Sequence, residues 1–531
     1  MKKHFYAILS VLILGMIFLS QGMSQLPLTD RDETRYSIMA KTILETGDWV
    51  VTWLNHQPHL DKPPFFVWMV ALSMNVFGIN ELGARMIPLL MALGTLVLTY
   101  LVGCWLWNSR TGFLSALILM VFPEFYTLSR YVITDMALTF FMTGLIVCFL
   151  GGLKFRKQGF YWVGYVFGGL AMLTKGPVGI ALPGLILITY LWKTHQFSRW
   201  KEMKLGWGIL VVLIISLPWY LLAEQRFPGY LYFFFIQENL LRFLTKIHRR
   251  SEPIYFFIPI VFFGIFPWSL FLWRTLKTED REGKLIRWFQ DDNKFLCVIW
   301  FLIGFIFFSL SKSKLPTYIL PYLVPLALLL GGYWDEIWDK DRIALKLFSG
   351  ILILIGAGIL AADFIEPIRI LMAKAIETTG RPLWQEAVFL CLMGIIPYIG
   401  LWFRGNRWAF GGVMIVLVLV FTYISHWGVL TDYTYYHSTR ELCRIIQKDF
   451  RPEDGILVHS ENRWSASFYL PANAKVCYIN EWSDLVFTTI TSKRTYILLS
   501  EKDHLPIFQQ QVGGKTQVMG YEGRQVLVFK P

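Results

Sequence analysis

The stretch MIPLLMALGTLVLTYLVGCWLW, Met86–Trp107, contains no charged residue, and as a helix it is long enough to cross the roughly 30 Å of bilayer hydrocarbon. Comparable apolar runs recur as far as residue 430. They lie near 5–22, 112–129, 136–153, 160–174, 177–192, 206–223, 254–273, 295–310, 317–334, 346–363, 385–403 and 408–429. Together they predict an α-helical polytopic membrane protein of about 13 transmembrane helices.

Composition supports that reading. Of 531 residues, 55% are hydrophobic and 16% charged, with a mean hydropathy of +0.48, against roughly 25% charged for an average soluble domain. The net charge of +13 does not point to nucleic acid. Its Lys and Arg are scattered in short loops between apolar runs, which suits loops held at an anionic bilayer surface. Cys104, Cys148, Cys297, Cys391, Cys443 and Cys477 are far apart, with neither zinc spacing nor a disulfide framework. The start, Met-Lys-Lys and an apolar run, resembles a signal peptide without an evident cleavage site, and reads as a retained first helix.

Basic short loops mark the cytoplasmic side. Lys2 and Lys3, Lys154 to Lys157, Lys193 to Lys204, and Arg404 with Arg407 all fall on one side of these spans. The expectation is a cytoplasmic N-terminus, with loop 23–85, the Arg130–Asp135 turn, loop 224–253 and the Ser311–Lys314 turn outside. After about residue 431, short β-rich runs (Gly455–His459, Tyr496–Ser500, Gln525–Phe529) alternate with helical stretches 439–450 and 503–511. Residues 1–430 thus read as the membrane domain and 431–531 as a small soluble α/β domain on the outer, periplasmic face.

The polar chemistry is concentrated in loop 23–85. Thr29-Asp30-Arg31-Asp32-Glu33-Thr34-Arg35-Tyr36 opens it. Asp30 or Asp32 as the N-cap of a helix reaching about Thr46 accounts for part of the charge, but Asp32 and Arg35 also share one helix face. Next come Gly47-Asp48-Trp49, then Leu60-Asp61-Lys62-Pro63-Pro64, and finally Phe77-Gly78, Glu81 and Arg85. The two prolines stiffen the backbone that carries Asp61 and Lys62. Trp105, Trp107, Trp192 and Trp219 read as interface anchors. Glu124 is an acid at membrane depth with no assigned role.

In this order, Asp-Glu-x-Arg-Tyr, Gly-Asp-Trp, acid-Lys-Pro-Pro and Phe-Gly with Glu and Arg, the loop resembles that of the polyprenyl-phosphate-sugar-dependent membrane glycosyltransferases. That family has the GT-C fold and includes aminoarabinose transferases of lipid A and, more distantly, protein O-mannosyltransferases. Arg130 with Thr134-Asp135, Thr174-Lys175-Gly176-Pro177, Glu238-Asn239 with Arg242-Phe243, and Ser313 to Pro321 extend the resemblance to about residue 430. Two features depart from it: Asp61 stands where close members carry Glu, and the C-terminal domain matches nothing in the family.

The resemblance implies transfer of a sugar from a polyprenyl (undecaprenyl) phosphate donor to a glycan, lipid or protein acceptor at the bilayer. It makes Asp32 the general base, with Asp135 assisting it or orienting the acceptor, and Glu33 as a further catalytic candidate. Arg35 and Lys62 take phosphate-binding positions, joined by Tyr318, Lys314, Arg242 and Arg130. A phosphate monoester leaving group needs such cations, Arg gripping it bidentately and Lys as a point charge. Asp61 matches a divalent-cation ligand of some relatives, and His56, His59 and His248 are its candidate partners. Lys175 before Gly-Pro reads equally as a helix end. One base and no evident nucleophile imply inversion. The rival classes are a polyprenyl-lipid transporter or flippase and a lipid-carrier sensor. Transport of a polar substrate calls for ionisable groups at the bilayer centre and repeated broken helices, whereas here the charges sit at helix ends on one side.

Overall fold

The computed structural model describes residues 2–245, 252–337, 342–368, 384–403 and 433–531, excepting 56, 276, 280–284, 436, 460–463, 472, 492–493, 513–515 and 523–524. The run at 408–429, with Arg404 and Arg407, lies outside the described residues.

Helices form where the apolar runs predict them. Among the described residues six are long and apolar enough to cross a membrane: Lys2–Leu19, Glu81–Leu106, Thr134–Phe155, Leu205–Arg226, Asp292–Leu310 and Pro316–Glu336. Shorter apolar helices include Phe65–Phe77, Ser109–Met120 and Val178–Lys193. Thr134–Phe155 is the central post, 94% buried across its apolar window, whereas Leu205–Arg226 is only 22% buried and turns Trp207, Ile209 and Ile214 outward. Small residues set the closest crossing. A Cβ on Gly103 would come within 2.6 Å of the Gly112 Cα, so the helices Glu81–Leu106 and Ser109–Met120 meet backbone to backbone. Asn108 makes the turn between them by accepting from the Arg110 and Thr111 N–H groups.

The run at 254–273 does not form one straight span. Phe257–Gly264 and Trp268–Thr275 meet at 102°, since Pro267 between them has no N–H to continue a helical ladder. The run at 112–129 is also divided, into Ser109–Met120 and Pro123–Leu128, at Phe122-Pro123. Trp219 is not an interface anchor. It is buried and donates its indole N–H to the Val50 carbonyl at 2.9 Å, bracing the first loop against the bundle.

Loop 23–85 is itself folded, into the helix Asp32–Thr46, a two-residue hairpin Trp53–Leu54 with Gln57–Pro58, and the helix Phe65–Phe77. Arg85 ties its start to the bundle. The guanidinium donates to both Glu33 oxygens (2.6 and 2.8 Å) and to the carbonyls of Met23 (2.9 Å), Leu26 (2.6 Å) and Pro27 (2.8 Å). All five of its donors are thereby satisfied, which is what a buried arginine requires.

The C-terminal domain is a five-stranded sheet in the order Val476–Ile479, Gly455–His459, Thr495–Leu499, Gln525–Lys530, Gln517–Glu522. Its first three strands are parallel, with Ile456 facing both Val476 and Tyr496, and the last two are antiparallel. Helices Arg440–Asp449, Trp482–Thr491 and Leu505–Val512 pack on it. The strands Val476–Ile479 and Gln517–Glu522 escape the sequence reading because their exposure is mixed rather than apolar.

This domain is bolted to loop 23–85. Lys41 donates to the carbonyls of Ser467, Phe468 and Leu470 at 3.1 to 3.2 Å, at the C-terminal end of the short helix Ser465–Tyr469. Arg440 donates to Glu81 at 2.9 Å and to the Gln25 carbonyl at 2.8 Å, and the Tyr469 hydroxyl bridges the Leu28 N–H and Glu81.

Candidate active site

The helix Asp32–Thr46 begins without a side-chain cap, because Arg31 occupies the N-cap position. Neither aspartate caps it. Asp30 turns to the C-terminal domain instead, accepting from the Ser465 N–H and hydroxyl at 2.7 Å each. Glu33 turns inward to Arg85 and also accepts from the Thr29 N–H at 2.9 Å. Asp32 and Arg35 remain on the open face, where Arg35 donates to Asp32 Oδ1.

Arg35 and Asp32 lie beside the Asp61-Lys62 segment. Burial works against the Asp61 carboxylate, but the hydrogen bond and charge of His59 and the charges of Arg35 and Lys62 outweigh it, so its pKa is held below the usual carboxylate range. Lys62 shares an electrostatic environment with Tyr36, Tyr318, Arg242 and Asp61. Arg242, on the turn after the π-helical stretch Phe233–Leu241, donates to Glu238 at 3.0 Å and to the Tyr318 hydroxyl at 3.1 Å. Three cations from separate segments thus converge beside Asp61 and Tyr318.

Two features of this cluster ask for an anion. The Arg35 Nε is buried without an acceptor. Among the described residues, the Lys62 ammonium has neither a hydrogen bond nor an ion pair within 4 Å. A half-buried cation in that state is favoured by an anionic partner.

Asp135 lies on the adjoining side and accepts from Lys175 at 2.5 Å, and the same ammonium sits 4.4 Å from the centre of the Tyr318 ring. Lys175 thereby joins the site, although its place before Gly-Pro reads equally as a helix end. Gly176, with φ of +90°, makes the turn that points it there, and a Cβ on Gly176 would press on Phe234 at 2.8 Å.

The other predicted residues sit elsewhere. Lys314 is engaged by the Ser311 and Glu252 carbonyls at 2.6 and 2.9 Å. Arg130 lies over the Tyr126 ring, 4.9 Å from its centre, and donates to its hydroxyl, close to Glu33 and Arg85. Glu33 is enclosed with Arg85, so it reads as part of the scaffold. Glu124 packs against Gly264, where a Cβ would meet its Oε2 at 2.5 Å. Of the candidate metal ligands, His56 and His248 lie outside the described residues. His59 Nε2 is 2.6 Å from Asp61 Oδ1, and among the described residues no three His, Cys, Asp or Glu side chains come together to hold a metal ion.

The crystal structure of ArnT from Cupriavidus metallidurans bound to undecaprenyl phosphate superposes with a TM-score of 0.78, covering 98% of this chain and 97% of that one at 22% identity. The chain has the GT-C fold of that membrane glycosyltransferase. Residues 61–221 match the family described as dolichyl-phosphate-mannose-protein mannosyltransferase. Among curated GT-C relatives, the undecaprenyl phosphate-alpha-4-amino-4-deoxy-L-arabinose arabinosyl transferase 2 of Proteus mirabilis is 29% identical over 415 residues, 76% of this chain and 72% of the relative. The corresponding transferase of Pseudomonas aeruginosa is 33% identical over 381 residues, 70% of this chain and 65% of the relative. The converged cations and Asp32 occupy loop 23–85 and helix ends and not the middle of a long apolar helix, which argues against a transporter.

Proposed function

We propose that the chain transfers 4-amino-4-deoxy-L-arabinose, or a closely similar sugar, from undecaprenyl phosphate to lipid A or another lipopolysaccharide glycan. It acts at the periplasmic face of the bacterial inner membrane, with a cytoplasmic N-terminus and a periplasmic C-terminal domain. The observation that carries this reading is the set of under-partnered cations: among the described residues Arg35 Nε has no acceptor and the Lys62 ammonium no hydrogen bond or ion pair within 4 Å, beside Arg242 and Tyr318. That set suits the phosphate of a lipid-linked sugar, and the names of the relatives supply the class of donor.

The chemistry follows from the placement. The acceptor hydroxyl oxygen attacks the anomeric carbon, the bond from that carbon to the phosphate oxygen breaks, and polyprenyl phosphate departs with the electron pair. Asp32 takes the hydroxyl proton, and its contact with Arg35 fixes the orientation of the carboxylate. Arg35, Lys62 and Arg242 offset the charge growing on the leaving phosphate, with Tyr318 as a hydrogen-bond donor. Asp135 orients Lys175 toward Tyr318 and completes that wall. A single displacement inverts the anomeric centre.

For a divalent cation, the described residues offer only Asp61 and His59, already in contact with each other. We infer that this direct contact orients Asp61 toward Lys62 and Arg35. Transfer abolished by EDTA and restored by zinc would return a metal to the site.

Purified protein given radiolabelled undecaprenyl-phosphate aminoarabinose and lipid A should label the lipid A. Asp32→Asn should lower turnover about 10²- to 10⁴-fold while donor binding persists. No transfer from any polyprenyl donor by folded protein would sink the reading.

A further inference from the structure

A cleft of about 770 Å³ opens between the helix Asp32–Thr46 and the C-terminal domain. Its floor carries Ile38, Thr42 and Glu45, the hairpin contributes Trp53, and the far wall presents Trp464 and Tyr478. It is separate from the cation cluster, but the helix links the two. At about 100° per residue, Thr42 falls within about 20° of Arg35 around the axis and about 10 Å further along it. Asp32 is three residues beyond Arg35, about 15 Å from Thr42 along the axis and about 80° round from it. The stripe that floors the cleft therefore leads along one helix to Arg35, the ion-pair partner of the proposed base, over the reach of a short oligosaccharide.

The lining defines what fits. Its single cation among the described residues, Lys41, is committed to the carbonyls of Ser467, Phe468 and Leu470. No ammonium or guanidinium is left for a phosphate. The rest combines three aromatic side chains with amides and hydroxyls from Asn55, Gln57, Thr46 and Ser467. Aromatic faces pack on the C–H faces of sugar rings, and amides and hydroxyls both donate to and accept from sugar hydroxyls. This is the reverse of the Arg35, Lys62 and Arg242 cluster, which is built for an anion.

We propose that the cleft binds sugar rings of the acceptor glycan, through their hydroxyls and ring faces and not through phosphates, and presents the reacting hydroxyl to Asp32. The C-terminal domain, which carries none of the sequence motifs but lies within the 98% of the chain that superposes on the ArnT structure, then supplies half of the acceptor site. The contacts of Lys41, Arg440 and Asp30 hold that half in register with the base. The proposal rests on the transferase reading above.

Two measurements on the full-length protein in nanodiscs test it. Saturation-transfer NMR reads binding of the deacylated, dephosphorylated glucosamine disaccharide of lipid A. Signal is expected with the native chain and lost in Trp464→Ala and in the cleft-filling Thr42→Arg. In transfer assays the same variants should raise the KM for acceptor about tenfold or more and leave the KM for donor unchanged. Absence of binding to the native chain, equal binding in the correctly folded variants, or a raised KM for donor alone overturns the cleft. Cleft-dependent binding of the disaccharide without transfer from any polyprenyl donor supports the cleft and overturns the transferase reading, so the two failures are distinct.

Discussion

Asp30 grips Ser465 through both carboxylate oxygens, one on its N–H and one on its hydroxyl, across 435 residues of sequence. Asp32, the proposed base, is two residues from that grip. The C-terminal domain therefore bears directly on the segment that carries the base. Ser465 is fully buried, and its hydroxyl is also 2.9 Å from Thr439 Oγ1. Ser465→Ala leaves the Asp30 carboxylate one hydrogen bond short, a loss of about 1.5–3 kcal/mol for a bond to a charged group. Turnover should fall while the KM for donor stays near that of the native chain, and thermal melting in detergent should shift down. Melting shifted with turnover intact would mean that the contact is purely structural.

Among the described residues the Lys62 ammonium has no hydrogen bond or ion pair within 4 Å, and Asp61 supplies the opposite charge near it, so its removal should act more on the donor than on the fold. Lys62→Met is expected to lower donor binding and to cut turnover about 10²- to 10³-fold, as loss of one electrostatic contact to a developing charge does. The melting temperature should hold or rise. Unchanged affinity for undecaprenyl phosphate, read by ligand-induced melting shifts, would remove Lys62 from the phosphate site.

Arg85 is the opposite case. It is enclosed, with both Glu33 oxygens and three carbonyls on its five donors. Arg85→Met strands the Glu33 carboxylate and should cost about 3–5 kcal/mol, with poor recovery of folded protein. Arg85→Met/Glu33→Leu together should recover part of that loss. A double variant no better than the single one would show that the carbonyl contacts, and not the ion pair, hold the loop.

Glu522 provides the pH test. It accepts from the Glu441 and Leu442 N–H groups at 3.0 and 3.2 Å, at the start of the helix Arg440–Asp449. Burial dominates and pushes its carboxyl up to about 8. The folded chain then keeps a proton that the unfolded chain releases above about 4.3. The contribution to stability is full below that value and is lost as pH rises through about 8. Melting of the native chain should fall between pH 5 and 8, and Glu522→Gln should flatten the slope. A slope unchanged in the variant would assign it to another group.

The membrane domain was legible because lipid imposes a long, nearly uncharged run on each crossing, and that property belongs to the local sequence, as in Met86–Trp107. Strands such as Gly455–His459 and Thr495–Leu499 were legible too, being short, apolar and buried. The bent pair Phe257–Gly264 and Trp268–Thr275 was not, since composition gives the length of a run but not its direction.

For the site, the sequence by itself determined which residue types were present: the acids and bases of loop 23–85, with later charges at helix ends. Their partners were decided only by tertiary structure. Within Asp30-Arg31-Asp32-Glu33, one acid binds the C-terminal domain, one binds Arg85 and one stays on the open face with Arg35. Likewise Lys175 and Lys314 look alike in sequence, yet one faces Asp135 and Tyr318 while the other is spent on backbone carbonyls. The physical reason is that a side chain's charge is fixed by its chemistry, whereas its partner and solvation depend on which distant segment packs against it.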